Sequence, residues 1–172
     1  MGRRKDRNGV SGAPTRALEA LVAAGVDHTV HIYDHDPRAR TFGQETVDRL
    51  GIAAERTCKS LMVRCEVAPG ACEYVVAVIP VRHHLCLKAV ARAAGCKSAA
   101  MADPKVAERR TGYVVGGISP LGQTTAHRLF LEETVLDQAS ILISGGRRGM
   151  SVEVDPWVLV EVFDAVPAPL VA

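Results

Sequence analysis

The sequence predicts an α+β domain in which helices and strands mix irregularly along one chain. Three observations predict this class. Segments with three- and four-residue apolar spacing are interleaved with Val-rich runs, but the alternation is too irregular for a doubly wound sheet. No internal repeat, low-complexity block or long linker divides the chain. With 172 residues, 48% of them hydrophobic and 23% charged, the chain has the size and composition of one soluble domain with one compact core.

The first helix opens at Pro14 and carries Leu18, Leu21, Val22 and Val26 at helical steps, with Gly25 as its cap. Val30, Ile32 and Tyr33 within HTVHIYDHD read as a short strand, and Val47 and Leu50 before Gly51 as a second small helix. Ser60 to Val67 and Tyr74 to Val81 are Val-rich runs separated by the turn cluster Ala68, Pro69 and Gly70, so they read as a strand pair. Leu87, Val90, Ala91 and Ala94 form a helical face closed by Gly95. Asp103 followed by Pro104 supplies an N-cap and a first-turn proline for a helix through Arg110. Two glycine-rich loops follow, GGISPLG at 116 to 122 and SGGRRG at 144 to 149, with the strand-like segments RLFLEE and SILIS between them. Asp155 and Pro156 start a final helix bearing Val158, Leu159, Val162 and Phe163.

Composition excludes several function classes. The five cysteines, at 58, 65, 72, 86 and 96, are odd in number and contain no CxxC pair, which argues against a disulfide framework and a zinc finger and for a reducing, cytoplasmic setting. No apolar stretch approaches the roughly 18 residues of a membrane span, and the basic start MGRRKDR runs into Gly, Ser and Pro rather than an apolar signal core. The formal charge of +2 is uneven: residues 1 to 16 hold five basic residues against Asp6 alone, a local net of +4, which leaves −2 for the remainder. Residues 1 to 13 are therefore expected to be a flexible basic tail, and 14 to 172 the domain. Three Phe, three Tyr and one Trp are too few to build a broad base-stacking platform.

The chain offers no ready nucleophile and no metal site. HxxHxxxH at 28 to 35 is the one clustered histidine set, but on a strand His31 and His35 share a face while His28 points away, and nothing completes four ligands. His83 and His84, in the loop after Pro80, are expected to be solvated. Cys58, Cys65, Cys72 and Cys86 sit within or beside apolar runs, where cysteine packs as a small core residue. There is no GxSxG elbow, and Ser119, between Ile118 and Pro120, suits a turn better than an activated hydroxyl. Lys59, at the mouth of an apolar strand, is equally a solvent-facing edge residue or a point-charge contact for phosphate or carboxylate. The paired glycines at 116 to 117 and 145 to 146 allow backbone N–H groups to form an anion nest or oxyanion hole, or simply turn the chain.

The motifs HIYDHDP, FGQETVDRLGI, KSLMV, MADPKVAERRTGYVVGGISPLGQ and SGGRRGMSVEVDP, in this order across about residues 14 to 166, resemble the YbaK-type aminoacyl-tRNA deacylases. These are freestanding relatives of the editing domain inserted in bacterial prolyl-tRNA synthetase. The resemblance implies a mixed, partly closed β-barrel-like sheet flanked by helices, with the site between the lysine-bearing strand and the GGISP loop. Carried over by position, Lys59 matches the essential lysine that holds the terminal nucleotide or phosphate of the acceptor end, with Ser60 beside it. Tyr33 and Phe42 match aromatic pocket positions. Gly116 and Gly117, followed by Ile118 and Ser119, match the loop that approaches the aminoacyl ester. Ser144, Gly145 and Gly146 match a second loop, with Ser151 just beyond it.

The implied activity is deacylation of cysteine mischarged onto proline tRNA, in trans and without cofactor or metal, the substrate's own thiol attacking its ester carbonyl. The implied partners are the acceptor end of mischarged tRNA(Pro) and prolyl-tRNA synthetase as a docking platform. One departure stands out, because relatives commonly carry lysines just after GGISPLGQ, where this chain has Thr124, Thr125, Ala126, His127 and Arg128. Lower phosphate affinity is expected, with the basic tail as the candidate compensation. The alternatives are a sibling specificity such as alanyl-tRNA(Pro), and a noncatalytic tRNA- or nucleotide-binding module.

Overall fold

The structure is a computed structural model and describes residues 14–172, so the expected basic tail lies outside the described residues. Among the described residues, five α-helices and eight strands run in the order α1 (Arg16–Ala23), β1 (Thr29–Ile32), α2 (Phe42–Leu50), β2 (Cys58–Ala68), β3 (Ala71–Pro80), α3 (Leu87–Ala94) and β4 (Ser98–Met101). They continue with α4 (Pro104–Thr111), β5 (Arg128–Glu132), a 3-10 turn (Glu133–Asp137), β6 (Ile141–Ser144), β7 (Met150–Val154), α5 (Pro156–Glu161) and β8 (Val166–Ala168). The α+β class holds.

Side-chain caps start α1, α4 and α5. Asp103 and Asp155 accept from the amides of Lys105 and Trp157, at 2.8 and 2.9 Å, ahead of prolines at the first helical position. α1 begins at Arg16, two residues past the expected opening at Pro14, and its cap is Thr15, whose Oγ1 accepts from Leu18 N at 3.2 Å.

The strands form two sheets. The larger has the order β4-β2-β3-β5-β8, antiparallel on the β2 side and parallel where β5 meets β3 and β8. The smaller is the antiparallel set β1-β7-β6. A single bridge, Thr57 to Leu142, with Leu142 N donating to Arg56 O at 2.8 Å, joins the small sheet to the start of β2. The expected barrel is thus partial: two sheets meet along one seam and the ring does not close.

β3 shows why the sheet is central. Residues Val75 to Pro80 are all buried, because odd and even positions enter different cores. Val76 and Val78 face a cluster with Leu21, Met62, Leu131, Ile143 and Val152 between the two sheets, while Val75, Ala77 and Ile79 face Val90, Phe130 and Leu170. Of the expected core cysteines, Cys58 and Cys65 are buried, but Cys72 is exposed because it lies at the open start of β3, beside the turn. Among the described residues, no helix is long and apolar enough to cross a membrane.

Candidate active site

A cleft of about 490 Å³ opens where the start of β2 meets α2, the GGISP loop and the rim of the small sheet. Of the residues singled out from the sequence, Tyr33, Phe42, Lys59, Ser60, Gly116, Ile118, Ser144 and Ser151 line it. The strand pairing places them: Lys59 and Ser60 stand opposite Ile79 and Val78 at the first rungs of the β2–β3 ladder, and Ser144 and Ser151 are direct partners between β6 and β7.

Gly117, Ser119, Gly145 and Gly146 stand behind the wall. A Cβ on Gly117 would sit 2.8 Å from the backbone of Arg147, so this glycine lets the two loops touch. Ser119 is fully buried; its Oγ accepts from Leu121 N at 3.2 Å and its carbonyl accepts from Gln123 Nε2 at 2.9 Å, which is the turn-shaping role its neighbours suggest. Gly145 and Gly146 carry the second loop past Met150 and Tyr113.

The aromatic side is braced by polar contacts. Tyr33 N donates to Gly149 O at 3.0 Å, and its hydroxyl donates to Thr46 Oγ1 at 2.8 Å, since Thr46 in turn donates to Phe42 O at 3.1 Å. Burial pushes the Tyr33 phenol above its ordinary range. Buried Glu45 accepts from His35 Nδ1 at 2.7 Å and from Asp36 N at 3.1 Å, tying the HIYDHDP segment to α2. Phe42 is clasped between loops: the Arg148 guanidinium lies 4.7 Å from its ring centroid, while Arg148 Nε donates to Val115 O at 2.9 Å.

Three features define what the cleft can do. First, Lys59 has no hydrogen-bond or ion-pair partner among the described residues, and burial lowers its pKa from the lysine value. A half-buried ammonium without a partner can act as a point-charge contact for an anion. Second, only some glycine-loop amides are free. Gly117 N donates to Val114 O at 2.8 Å, Gly145 N to Met150 O at 2.9 Å and Gly146 N to Ser144 Oγ at 3.2 Å, whereas Gly116 N and Ile118 N have no partner among the described residues. Third, the cleft supplies no activated nucleophile. Cys58 lines it, but burial pushes its thiol up to about 12, so the thiolate is absent at neutral pH.

Sequence reasoning did not single out Thr46, Met62, His84, Met101 or Met150, which also line the cleft. His84, expected to be solvated, is exposed at the rim. The HxxHxxxH histidines are dispersed: His28 Nδ1 bonds Val26 O, His31 Nε2 bonds Glu153 and His35 bonds Glu45. A larger, shallower hollow of about 790 Å³ lies by Tyr74, Arg110 and Arg128, but its cations are committed. Arg128 forms a two-pronged pair with Glu73 at 2.7 and 2.8 Å, and Arg110 stacks on Tyr74 at 4.7 Å while donating to His127 at 3.1 Å.

Among the described residues, a cation without a partner, two loop amides without partners and no activated nucleophile suit the cleft to receiving an anionic, carbonyl-bearing ligand. Comparison with known proteins gives that class its family. The aminoacyl-tRNA editing domain family matches residues 36–162, and the chain belongs to it. A relative from Enterococcus faecalis, named "Putative Cys-tRNA(Pro)/Cys-tRNA(Cys) deacylase EbsC", is 35% identical over 120 residues, which is 69% of this chain and 70% of that protein. Among solved structures, a hypothetical protein superposes with TM-score 0.81 and 25% identity over 92% of this chain and 100% of its own. A "putative trans-editing enzyme for prolyl tRNA synthetase" superposes with TM-score 0.77 and 22% identity over 91% of this chain and 95% of its own, a likeness of fold.

Proposed function

We propose that the protein deacylates tRNA(Pro) mischarged with cysteine, acting in trans and without a cofactor. The observation that carries this reading is the cleft's chemistry: it offers charge and amide donors to an aminoacyl ester but no activated nucleophile of its own. The substrate supplies one. The cysteinyl thiol, once deprotonated, attacks its own ester carbonyl; the C–O bond to the terminal ribose breaks, the ribose oxygen takes a proton, and cysteine leaves as a thiolactone that water later opens. Lys59 holds a phosphate of the acceptor end, with Ser60 beside it and Tyr33 and Phe42 walling the terminal nucleotide. Gly116 N and Ile118 N, rather than the committed Gly117 N, receive the developing oxyanion. Holding the thiol against the carbonyl in its attacking rotamer, together with the oxyanion contacts, is the catalytic contribution, because thiol and ester already belong to one molecule.

The reading accounts for selectivity: alanine and proline have no attacking group, and serine a far weaker one. Prolyl-tRNA synthetase, as a docking platform, would supply the tRNA discrimination that a body with few basic clusters lacks. The test is a deacylation assay with a panel of charged tRNAs. Cys-tRNA(Pro) is expected to be cleaved, while 2-aminobutyryl-tRNA(Pro), with a methyl in place of sulfur, keeps its uncatalysed lifetime. Lys59→Ala is expected to lower the rate by about 10²–10³-fold, the loss that follows removal of one such electrostatic contact. A folded variant without protein cysteines stays active. Equal turnover of the cysteinyl and aminobutyryl esters would overturn the mechanism and point to a water-based route, for which rim-standing His84 is the first residue to replace.

A further inference from the structure

Three apolar side chains of the cleft wall stand on bare α-carbons. A Cβ on Gly43 would lie 2.4 Å from Val81 Cγ1, and one on Gly116 would lie 2.6 Å from the Phe42 ring. One on Gly145 would lie 2.5 and 2.8 Å from Cγ and Sδ of Met150. All fall well inside the about 3.5–4.0 Å at which carbon atoms pack, so each glycine makes room for the wall residue seated on it.

The seats differ in depth. Phe42 and Val81 are half-buried at the sides, and Met101 is 49% exposed at the mouth. Met150 is 3% exposed and, with buried Cys58 and Met62, closes the inner end. A ligand anchored at Lys59, with its carbonyl at the amides of Gly116 and Ile118, therefore directs its side chain toward Met150. This step rests on the functional reading above.

We infer that Met150, seated on Gly145, is the specificity-determining stop that limits the length of the aminoacyl side chain. Gly145 cannot retreat when a methyl is added, because its amide donates to Met150 O and its carbonyl accepts from Thr15 Oγ1. The flexible thioether moves instead. Behind it lies packed interior, so the direction left open is the cleft. The stop answers a problem that self-cleavage leaves unsolved. A thiol one methylene longer than cysteine closes a five-membered ring, which forms more readily than the four-membered ring from cysteine, so chemistry alone does not exclude it.

The test uses non-hydrolysable acceptor-end oligonucleotides that carry alanine, 2-aminobutyrate, norvaline or norleucine in amide linkage to the terminal adenosine, with dissociation constants read by calorimetry. In the wild type, affinity is expected to break beyond the two-carbon side chain. Met150→Ala moves the break outward by at least one methylene, a gain for norvaline of about 10-fold or more, the lower end of what one methylene in an apolar subsite is worth. Gly145→Ala moves the break inward, and in the Gly145→Ala, Met150→Ala double variant that inward shift disappears, the non-additivity expected of two groups in contact. Should Gly145→Ala fail to fold, Met150→Val and Met150→Ala give a graded outward series that carries the same test. A length profile that is identical in wild type and Met150 variants overturns the stop alone. No binding of any analogue by the wild type overturns the functional reading and the stop with it.

Discussion

Lys59 illustrates a side chain kept where stability disfavours it. Burial lowers its pKa from the lysine value, and no partner among the described residues offsets the cost. Between the lowered value and the ordinary lysine value, the unfolded chain binds more protons than the folded one, so stability rises with pH across that window. Below the window the full penalty of the buried charge applies. Lys59→Met is therefore expected to raise Tm at pH 7 while lowering deacylation as Lys59→Ala does, a pairing that calorimetry and the tRNA assay check together. A lower Tm would show that the ammonium has a stabilising contact. The lysine and the paired glycines stood out in the sequence as chemically unusual for their surroundings, whereas the two aromatics were singled out through the resemblance to the family. Met62 and Met150 were not, because an apolar residue in an apolar run carries no local mark of whether it faces the core or a cleft. The difference between Gly116 N, which is free, and Gly117 N, which is committed to Val114 O, was equally hidden, since it depends on turn geometry rather than residue type.

Elements were legible in proportion to the chemistry at their ends. Asp103 and Asp155 ahead of prolines announced α4 and α5, and the Pro69–Gly70 turn announced the β2–β3 pair. Strands β4 and β8 escaped because SAAM is mostly exposed and VPA contains a proline, so neither has the β-branched alternation that marks a buried strand. β7 does have a signal, the Val-Glu-Val alternation between Gly149 and Asp155, with Val152 and Val154 buried. The two kinds of cap also separate stability from function. Asp155→Ala removes the α5 cap and is expected to cost about 1 kcal/mol in urea denaturation, with deacylation unchanged, since α5 contributes nothing to the cleft. Thr15→Ala costs a similar amount at α1, but it also releases Gly145 O from the Thr15 hydroxyl and so loosens the second glycine loop. Its KM is expected to rise, and Thr15→Ser, which keeps both hydrogen bonds, restores it.

At the scale of the whole molecule, the two sheets are held by the apolar core between them, and at their seam by a backbone bridge and a polar cluster. Arg56, just ahead of β2, donates to Ser140 Oγ at 2.9 Å and Glu153 Oε2 at 3.3 Å, and Glu153 also pairs with His31 at 2.9 Å. Hydrogen bonds from Ser140 first, and then from His31 and Arg56, hold the Glu153 carboxyl below the usual carboxylate range. A depressed carboxylate contributes stability that is fully present above its unfolded pKa, about 4.3. The contribution fades as pH falls through the lower folded value. Glu153→Gln is accordingly expected to flatten the acid limb of a stability-against-pH curve, and an unchanged limb would assign acid sensitivity elsewhere. The single rung between Thr57 and Leu142 also has a mechanical meaning. Lys59 rides on one jaw of the cleft while Ser144 and Ser151 ride on the other, and the rung is the pin between them. The gape of the jaws is therefore gauged at a residue outside the cleft lining, and Leu142→Pro, which deletes the amide that donates to Arg56 O, would detune the grip while leaving every gripping side chain in the sequence.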